Sequence, residues 1–333
     1  MKALVYEAPY QMHVRDVPQP RPTPDEVLIR VAYSGICGSE LSGFEGRNSL
    51  RKPPLIMGHE FSGIIADLGE RATLTHPHLQ VGLPVTANPL LTCGQCDACL
   101  RGQQQLCPSR KLLSAMLPGS NAEYVTVPAM NVLPLPSQLS LTAAALAEPV
   151  ACAIHSVRLA HPQPSETALV VGAGPIGLLT IQALAVYNLS AIYCADLNPE
   201  RLAMAESLGA HPVDLREWRG PVDIAIDAVG ANPTRAACAN LVRPAGRVVF
   251  VGLHEAESPL PINDIIRREI ICYGSFAYNP RDFRAALEGL AAGHFFLQDS
   301  WTRVEPLAAG SACFEELIHG STVAKIWLQP PQE

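Results

Sequence analysis

Ala168-Leu169-Val170-Val171 runs directly into Gly172-Ala173-Gly174-Pro175-Ile176-Gly177, and these residues decide how half of the chain folds. Four apolar residues bounded by glycine read as a buried strand. Pro175 then opens an apolar stretch at a helix's first turn, where its missing N–H costs nothing. G-x-G-x-x-G alone is a weak signal. Here it follows a strand, precedes a helix and is answered by Asp196, nineteen residues past Gly177 at the end of the next apolar run. That arrangement is the fingerprint of a dinucleotide site. Gly172 makes the turn, Gly174 admits a pyrophosphate to the backbone, and Gly177 lets helix and strand pack closely. The helix start at Pro175 and Ile176 offers free N–H groups and partial positive charge to the diphosphate. Asp196 accepts hydrogen bonds from ribose hydroxyls and repels a 2′-phosphate, which favours NAD over NADP. Arg201, five residues on, softens that repulsion if it reaches the same edge. Val251 and Gly252, closing a later apolar run, complete the expected cofactor-binding set.

Outward from this stretch the chain alternates. A helix over 150–160 leads to the strand over 168–171, a helix over 175–187, a strand over 191–195 and a helix over 199–208. A strand over 222–226, a helix over 233–242, a strand over 246–251, an apolar stretch over 269–273 and a helix over 282–292 follow. Alternation at this pace predicts an α/β fold with a doubly wound parallel sheet. Residues 167–195 carry no charge and are numerous enough to suggest a membrane span. Three Gly and a Pro break its first third, so it reads as strand, turn, helix and strand buried in that sheet. Before residue 150 the texture is Pro-rich, with short β-like runs over 26–34, 61–67 and 122–128, which predicts a separate β-rich domain. The run over 325–328 is a short final strand.

The chain has 333 residues, 48% hydrophobic and 17% charged, enough for two domains with ample core. A net charge of −7 argues against nucleic acid or an anionic membrane as partner. Residues 1–7 show no apolar secretory core. Ten Cys, four of them in metal-type spacing, fit a reducing cytoplasm.

Those four are Cys93, Cys96, Cys99 and Cys107, at C-x2-C-x2-C-x7-C spacing in a looped-out lobe over about 88–108. Each short gap lets a turn aim two sulfurs at one ion, and the longer gap closes a tetrahedron. Thiols three residues apart make poor disulfide partners. Four Cys with no open position specify a structural Zn²⁺. A closed zinc lobe directs attention to a second, open metal site. Cys37, in Gly35-Ile36-Cys37-Gly38-Ser39-Glu40, and His59, in Gly58-His59-Glu60-Phe61-Ser62-Gly63, are with a carboxylate the candidate mixed donors of a catalytic site. Taken singly, a buried Cys or a His before Glu is an ordinary core residue.

The 35–39 and 58–63 blocks, the thiol pattern from Asn88 to Gly102 with Cys107, Ala122-Glu123-Tyr124-Val125, Glu148-Pro149 and the 172–177 loop together resemble the zinc-dependent medium-chain dehydrogenase/reductase superfamily. Glu148-Pro149, and Ile266-Arg267-Arg268-Glu269 leading to Gly274-Ser275, are similar to its polyol and threonine dehydrogenase branch. The resemblance implies a GroES-like catalytic domain over 1–152, a Rossmann NAD-binding domain over 153–290, and a return to the catalytic domain over 291–333. It implies two zinc ions per chain. Cys37, His59 and Glu60 surround the catalytic one, with Glu148 as fourth ligand or in exchange with water, and Ser39 carries a proton outward. The implied reaction moves a hydride from a secondary alcohol to NAD and leaves a ketone, in a homodimer or homotetramer.

The chain departs from the family in two places near the metal. Glu40 stands where an Asp usually orients the zinc-bound His, and Ser42 stands where many relatives have the His that ends a proton relay. Phe44, Glu45, Arg47, Arg110, Lys111, Phe276 and Tyr278 are candidate pocket residues. Arg47, Arg51 and Arg110 read as solvated charges, with phosphate binding as the alternative. Free polyol, sugar phosphate and amino alcohol all stay open as substrates. A zinc-free quinone or enone reductase and a non-catalytic cofactor-binding protein are the competing readings; the metal donors count against the first.

Overall fold

Strand Glu26–Gly35 organises the first half of the chain. Its buried residues, Val27, Leu28, Ile29, Val31 and Ala32 among them, leave neither face open to water. Such a strand is stable only if both edges are paired and both faces covered. It pairs antiparallel with Glu60–Leu68, Tyr124–Pro128 and Lys325–Gln329, inside a seven-stranded sheet. Phe61, Ile65, Val85, Val125 and Val127 pack with Val27, Ile29 and Val31 in the core beside it. Each such side chain contributes about 1.5–3 kcal/mol by leaving water.

The pairing fixes where chemistry gathers. Gly35 lies opposite both Glu60 and Trp327. Cys37 two residues beyond Gly35, His59 just before Glu60, and Lys325 two residues before Trp327 therefore meet at one end of the sheet.

This computed structural model describes residues 1–332, and they form two compact units: Met1–Glu148 with 279–332, and Pro149–Tyr278. The second unit is a six-stranded sheet in the order His211–Pro212, Ala191–Ala195, Thr167–Val171, Val222–Asp227, Val242–Phe250, Ile271–Gly274, every pairing parallel. The first strand in the chain lies third from one edge and the order reverses beside it, as a doubly wound Rossmann sheet requires. Helix Pro175–Ala185 is apolar except for Thr180 and Gln182, and Leu178, Leu179, Ile181 and Leu184 are buried. Among the described residues no helix is long and apolar enough to cross a membrane. Proline stands in the first turn of helices Pro175–Ala185, Pro199–Ser207, Asn232–Leu241 and Pro280–Ala291.

Three expectations shift. Val242 opens a strand instead of ending a helix. The unit boundaries fall at Glu148, inside helix Ala147–Ala160, and after Tyr278, rather than at 152 and 290. The reason for the second is helix Pro280–Ala291, which buries Phe283, Ala286, Leu287 and Leu290 and packs against helix Leu141–Ala144 of the first unit. Helix Gly38–Phe44, seven residues long, is too short for apolar periodicity to mark it.

Candidate active site

Cys37, His59 and Glu60 each present one donor atom, and the three atoms lie within 4.8 Å of one another. Cys37 is the N-cap of helix Gly38–Phe44, and Glu60 opens a strand, so two rigid elements carry the set. One thiolate, one imidazole and one carboxylate at this spacing fit a divalent ion with a position left for substrate.

A second layer fixes the donors. Glu40 is fully buried, and its Oε1 accepts from His59 Nδ1 at 2.6 Å, Gly58 N at 2.8 Å and Ser114 Oγ at 2.5 Å. With Nδ1 donating to Glu40, the lone pair of His59 is left on Nε2 for a metal. Burial works against an ionised Glu40, but the charges of His59 and Arg51 and the Ser114 bond outweigh it and hold the carboxyl at about 2. The extra methylene of Glu40, compared with the family's Asp, does not break the support. Burial likewise opposes a charged His59, yet Glu40 and Cys37 raise its pKa well above the usual imidazole value. A cation at Nε2 competes with that proton.

Lys325 escaped the sequence reading. Its ammonium is 2% exposed, donates to Ile36 O at 3.0 Å and forms an ion pair with Glu60, which is 1% exposed. Burial penalises the charge, but Glu60 and Cys37 overcome the penalty and raise the Lys325 pKa. The signal was a lone charge heading the apolar run Lys325-Ile326-Trp327-Leu328. Glu148 is buried and acts on Lys325 electrostatically, but it is not among the donors that lie within 4.8 Å of each other. Ser39 Oγ donates to Cys37 Sγ at 3.3 Å, and Ser42 turns its hydroxyl to Ser39 O at 2.9 Å.

Cys93, Cys96, Cys99 and Cys107 also converge within 4.8 Å. Their sulfurs are 3.5 Å (Cys96 to Cys99), 3.6 Å (Cys93 to Cys107) and 4.0 Å (Cys93 to Cys99) apart, and all are free thiols. A tetrahedron with Zn–S bonds of about 2.3 Å has edges of about 3.8 Å. The amides of Gln95 and Cys96 donate to Cys93 and pull its thiol down to about 6, whereas at Cys96 the lowering by the Cys99 amide is outweighed by burial and the neighbouring thiols, which push it up to about 11.

In the second unit Gly172 has φ +98°, and a Cβ on Gly177 would stand 1.7 Å from Gly172 O, so neither position accepts another residue. A Cβ on Gly174 would meet nothing within 4 Å: the backbone there is open for a ligand to approach. Pro175 and Ile176 begin the helix as expected. Asp196 Oδ2 accepts from Ala173 N at 2.6 Å and Oδ1 from Asn198 N at 2.8 Å, which pins the carboxylate beside the loop. Arg201 Nε is buried without an acceptor among the described residues. The amides of Val251 and Gly252 donate to Asp227 O, both at 3.0 Å.

Two pocket expectations change. Phe44 is fully buried, its ring 5.5 Å from that of Phe314, so it belongs to the core. Arg51 is buried rather than solvated, whereas Arg47 pairs with Glu45 at the surface.

Residues 23–137 match the alcohol dehydrogenase GroES-like domain, and residues 175–292 match the zinc-binding dehydrogenase family. A D-arabitol-phosphate dehydrogenase of Enterococcus avium is 33% identical over 352 residues, covering 100% of this chain and 99% of the relative. A sorbitol dehydrogenase of Bacillus subtilis is 34% identical, covering 88% and 86%. A zinc-binding dehydrogenase of Sinorhizobium meliloti, solved with NADP bound, superposes with a TM-score of 0.91 at 27% identity, covering 99% of each chain. The chain therefore belongs to the zinc-binding alcohol dehydrogenase family, an oxidoreductase built from a GroES-like and a Rossmann-type domain.

Proposed function

We propose that this protein oxidises a secondary alcohol of a polyol, or of a polyol phosphate, to a ketone with NAD as acceptor. The carrying observation is the three-donor cluster of Cys37, His59 and Glu60, with His59 held by Glu40. The likeness to arabitol-phosphate and sorbitol dehydrogenases supports the substrate class. When bound, the zinc ion supplies Lewis acidity at the substrate oxygen, and the nicotinamide supplies the hydride acceptor. The chain does the rest. Cys37, His59 and Glu60 hold the ion, with Glu148 in reserve as a further acid. Lys325 balances the charge of Glu60, and Ser39 accepts the proton of the reacting hydroxyl while its own proton, released from Cys37 Sγ, leaves to a water molecule. Cys93, Cys96, Cys99 and Cys107 hold a second, structural ion.

Gly172, Gly174 and Gly177 bring the backbone to the diphosphate, and Asp196 accepts from the ribose hydroxyls. The anchored carboxylate of Asp196 supports NAD over NADP through like-charge repulsion of a 2′-phosphate. Free thiols in the four-Cys lobe support a reducing, cytoplasmic setting. The edge strand Ile271–Gly274, which pairs only with Val242–Phe250 among the described residues, and the exposed Ile262, Ile266 and Ile271 nearby in the chain support a homodimer or higher homo-oligomer.

The test is reduction of NAD and of NADP by the zinc-loaded protein across free and phosphorylated secondary alcohols. Turnover of a polyol or its phosphate, with NAD favoured at least about tenfold in kcat/KM, is expected. Silence across the panel with both metals loaded would overturn the reading.

A further inference from the structure

The loop that follows helix Gly38–Phe44 buries a cation that forms no ion pair among the described residues. Arg51 is 4% exposed. Among the described residues the sole acceptor within hydrogen-bond reach of its guanidinium is Ser39 Oγ, 3.1 Å from Nη2, and Nε is buried with none. Glu40, whose charge Arg51 feels, is already occupied by His59, Gly58 and Ser114. Holding a guanidinium in that way is costly, so the surroundings must force it. They do. Arg51 N donates to Asn48 O at 3.2 Å, and Asn48 Nδ2 donates to Ser39 O at 3.4 Å. The stem of Arg51 lies where a side chain at Gly43 would be, since a Cβ there would come 2.5 Å from Arg51 Cδ.

A serine hydroxyl has one proton and two acceptor lone pairs. Ser39 spends its proton on Cys37 Sγ and one lone pair on Arg51. We propose that Arg51 is a positioning residue of the dehydrogenase: by donating to Ser39 Oγ it fixes that hydroxyl so that the remaining lone pair accepts the substrate hydroxyl. It is not a substitute proton acceptor for the histidine that relatives carry at the place of Ser42, because a guanidinium has no lone pair to receive a proton. This inference rests on the role of Ser39 proposed above and adds the group that aims it.

A double-mutant cycle on the zinc-loaded enzyme tests it. Arg51→Met is expected to lower kcat by about 10–100-fold with KM within about threefold, the usual scale for an outer-layer partner. Arg51→Lys, which restores a donor, should recover part of the loss, and Arg51→Leu, which likewise has no donor, serves the same comparison if the Met variant does not fold. In a Ser39→Ala background Arg51→Met should cost nothing further. With cobalt in place of zinc, the thiolate-to-metal absorption band should shift alike in Arg51→Met and Ser39→Ala, since both disturb the bond to Cys37 Sγ. A kcat loss from Arg51→Met of equal size in both backgrounds, or an unmoved cobalt band, overturns the proposal in favour of a structural role. Full activity in Arg51→Met beside a crippled Ser39→Ala overturns Arg51 alone, whereas full activity in Ser39→Ala overturns the role of Ser39 and this inference with it.

Discussion

The two donor clusters of the first unit differ in almost every respect except the kind of ion they suit. The lobe at 93–107 collects four sulfurs from one short loop, spends every position on protein, and leaves Cys93 exposed. The cluster at Cys37, His59 and Glu60 draws three unlike donors from separate elements and wraps them in buried charge: Glu40 behind His59, Lys325 behind Glu60 and Arg51 behind Ser39. The first is built to be complete. The second is built so that its donors are held while one side stays available, and each supporting charge is buried at a cost that only a tuned site repays.

The sharpest way to break this contrast is to remove one sulfur from each cluster. Cys37→Ser should reduce turnover by on the order of 10³-fold or more, because several kcal/mol of transition-state stabilisation go with the ion, while circular dichroism and the thermal midpoint stay near parental values. Cys99→Ser should do the reverse. It loses one zinc per chain by metal analysis and lowers the thermal midpoint, since structural zinc contributes about 10 kcal/mol or more in small motifs, but keeps kcat per remaining active-site ion. If both variants lose the same property, the division into catalytic and structural ions is wrong.

Smaller effects sharpen the comparison. Lys325→Met leaves Glu60 buried without its counter-charge, and urea unfolding of the metal-free protein should show a loss of about 3–5 kcal/mol. Parental stability would show that Glu60 finds another partner. Glu40→Gln should weaken zinc at the Cys37 cluster by about 10–100-fold in chelator competition, with the thiol lobe unaffected. Glu40 also predicts an acid dependence. Its folded carboxyl is held at about 2 against the ordinary glutamate value of 4.5, so its stabilisation is present above 4.5 and fades as the pH falls toward 2. In Glu40→Gln that part of the acid slope should disappear.

Much of this was legible because it is local. The four thiols lie within fifteen residues, the glycine loop within six, and strand Ala191–Ala195 ends where its apolar run ends. Donors Cys37, His59 and Glu60 were recognisable as residue types in characteristic blocks, although nothing in their spacing places Cys37 beside His59. Lys325 was not legible, since it is 265 residues from Glu60. Ser114, 74 residues from Glu40, and the burial of Arg51 were hidden for the same reason. Phe44 went the other way: an aromatic following a metal-binding loop invites a pocket role, and only the packing against Phe314 shows a core residue.

By itself the sequence determined the α/β class, the parallel sheet with its cofactor loop, and the four-thiol set, because apolar periodicity, glycine stereochemistry and ligand spacing act over a few residues; Cys37, His59 and Glu60 were candidates that only the fold brings together. The tertiary structure alone decided which charges stand behind those donors. Strand register brings Gly35 opposite Glu60 and Trp327, and with them Lys325 to Glu60. Charges influence one another through space, and proximity in space is settled by sheet pairing between segments hundreds of residues apart, which no local pattern encodes.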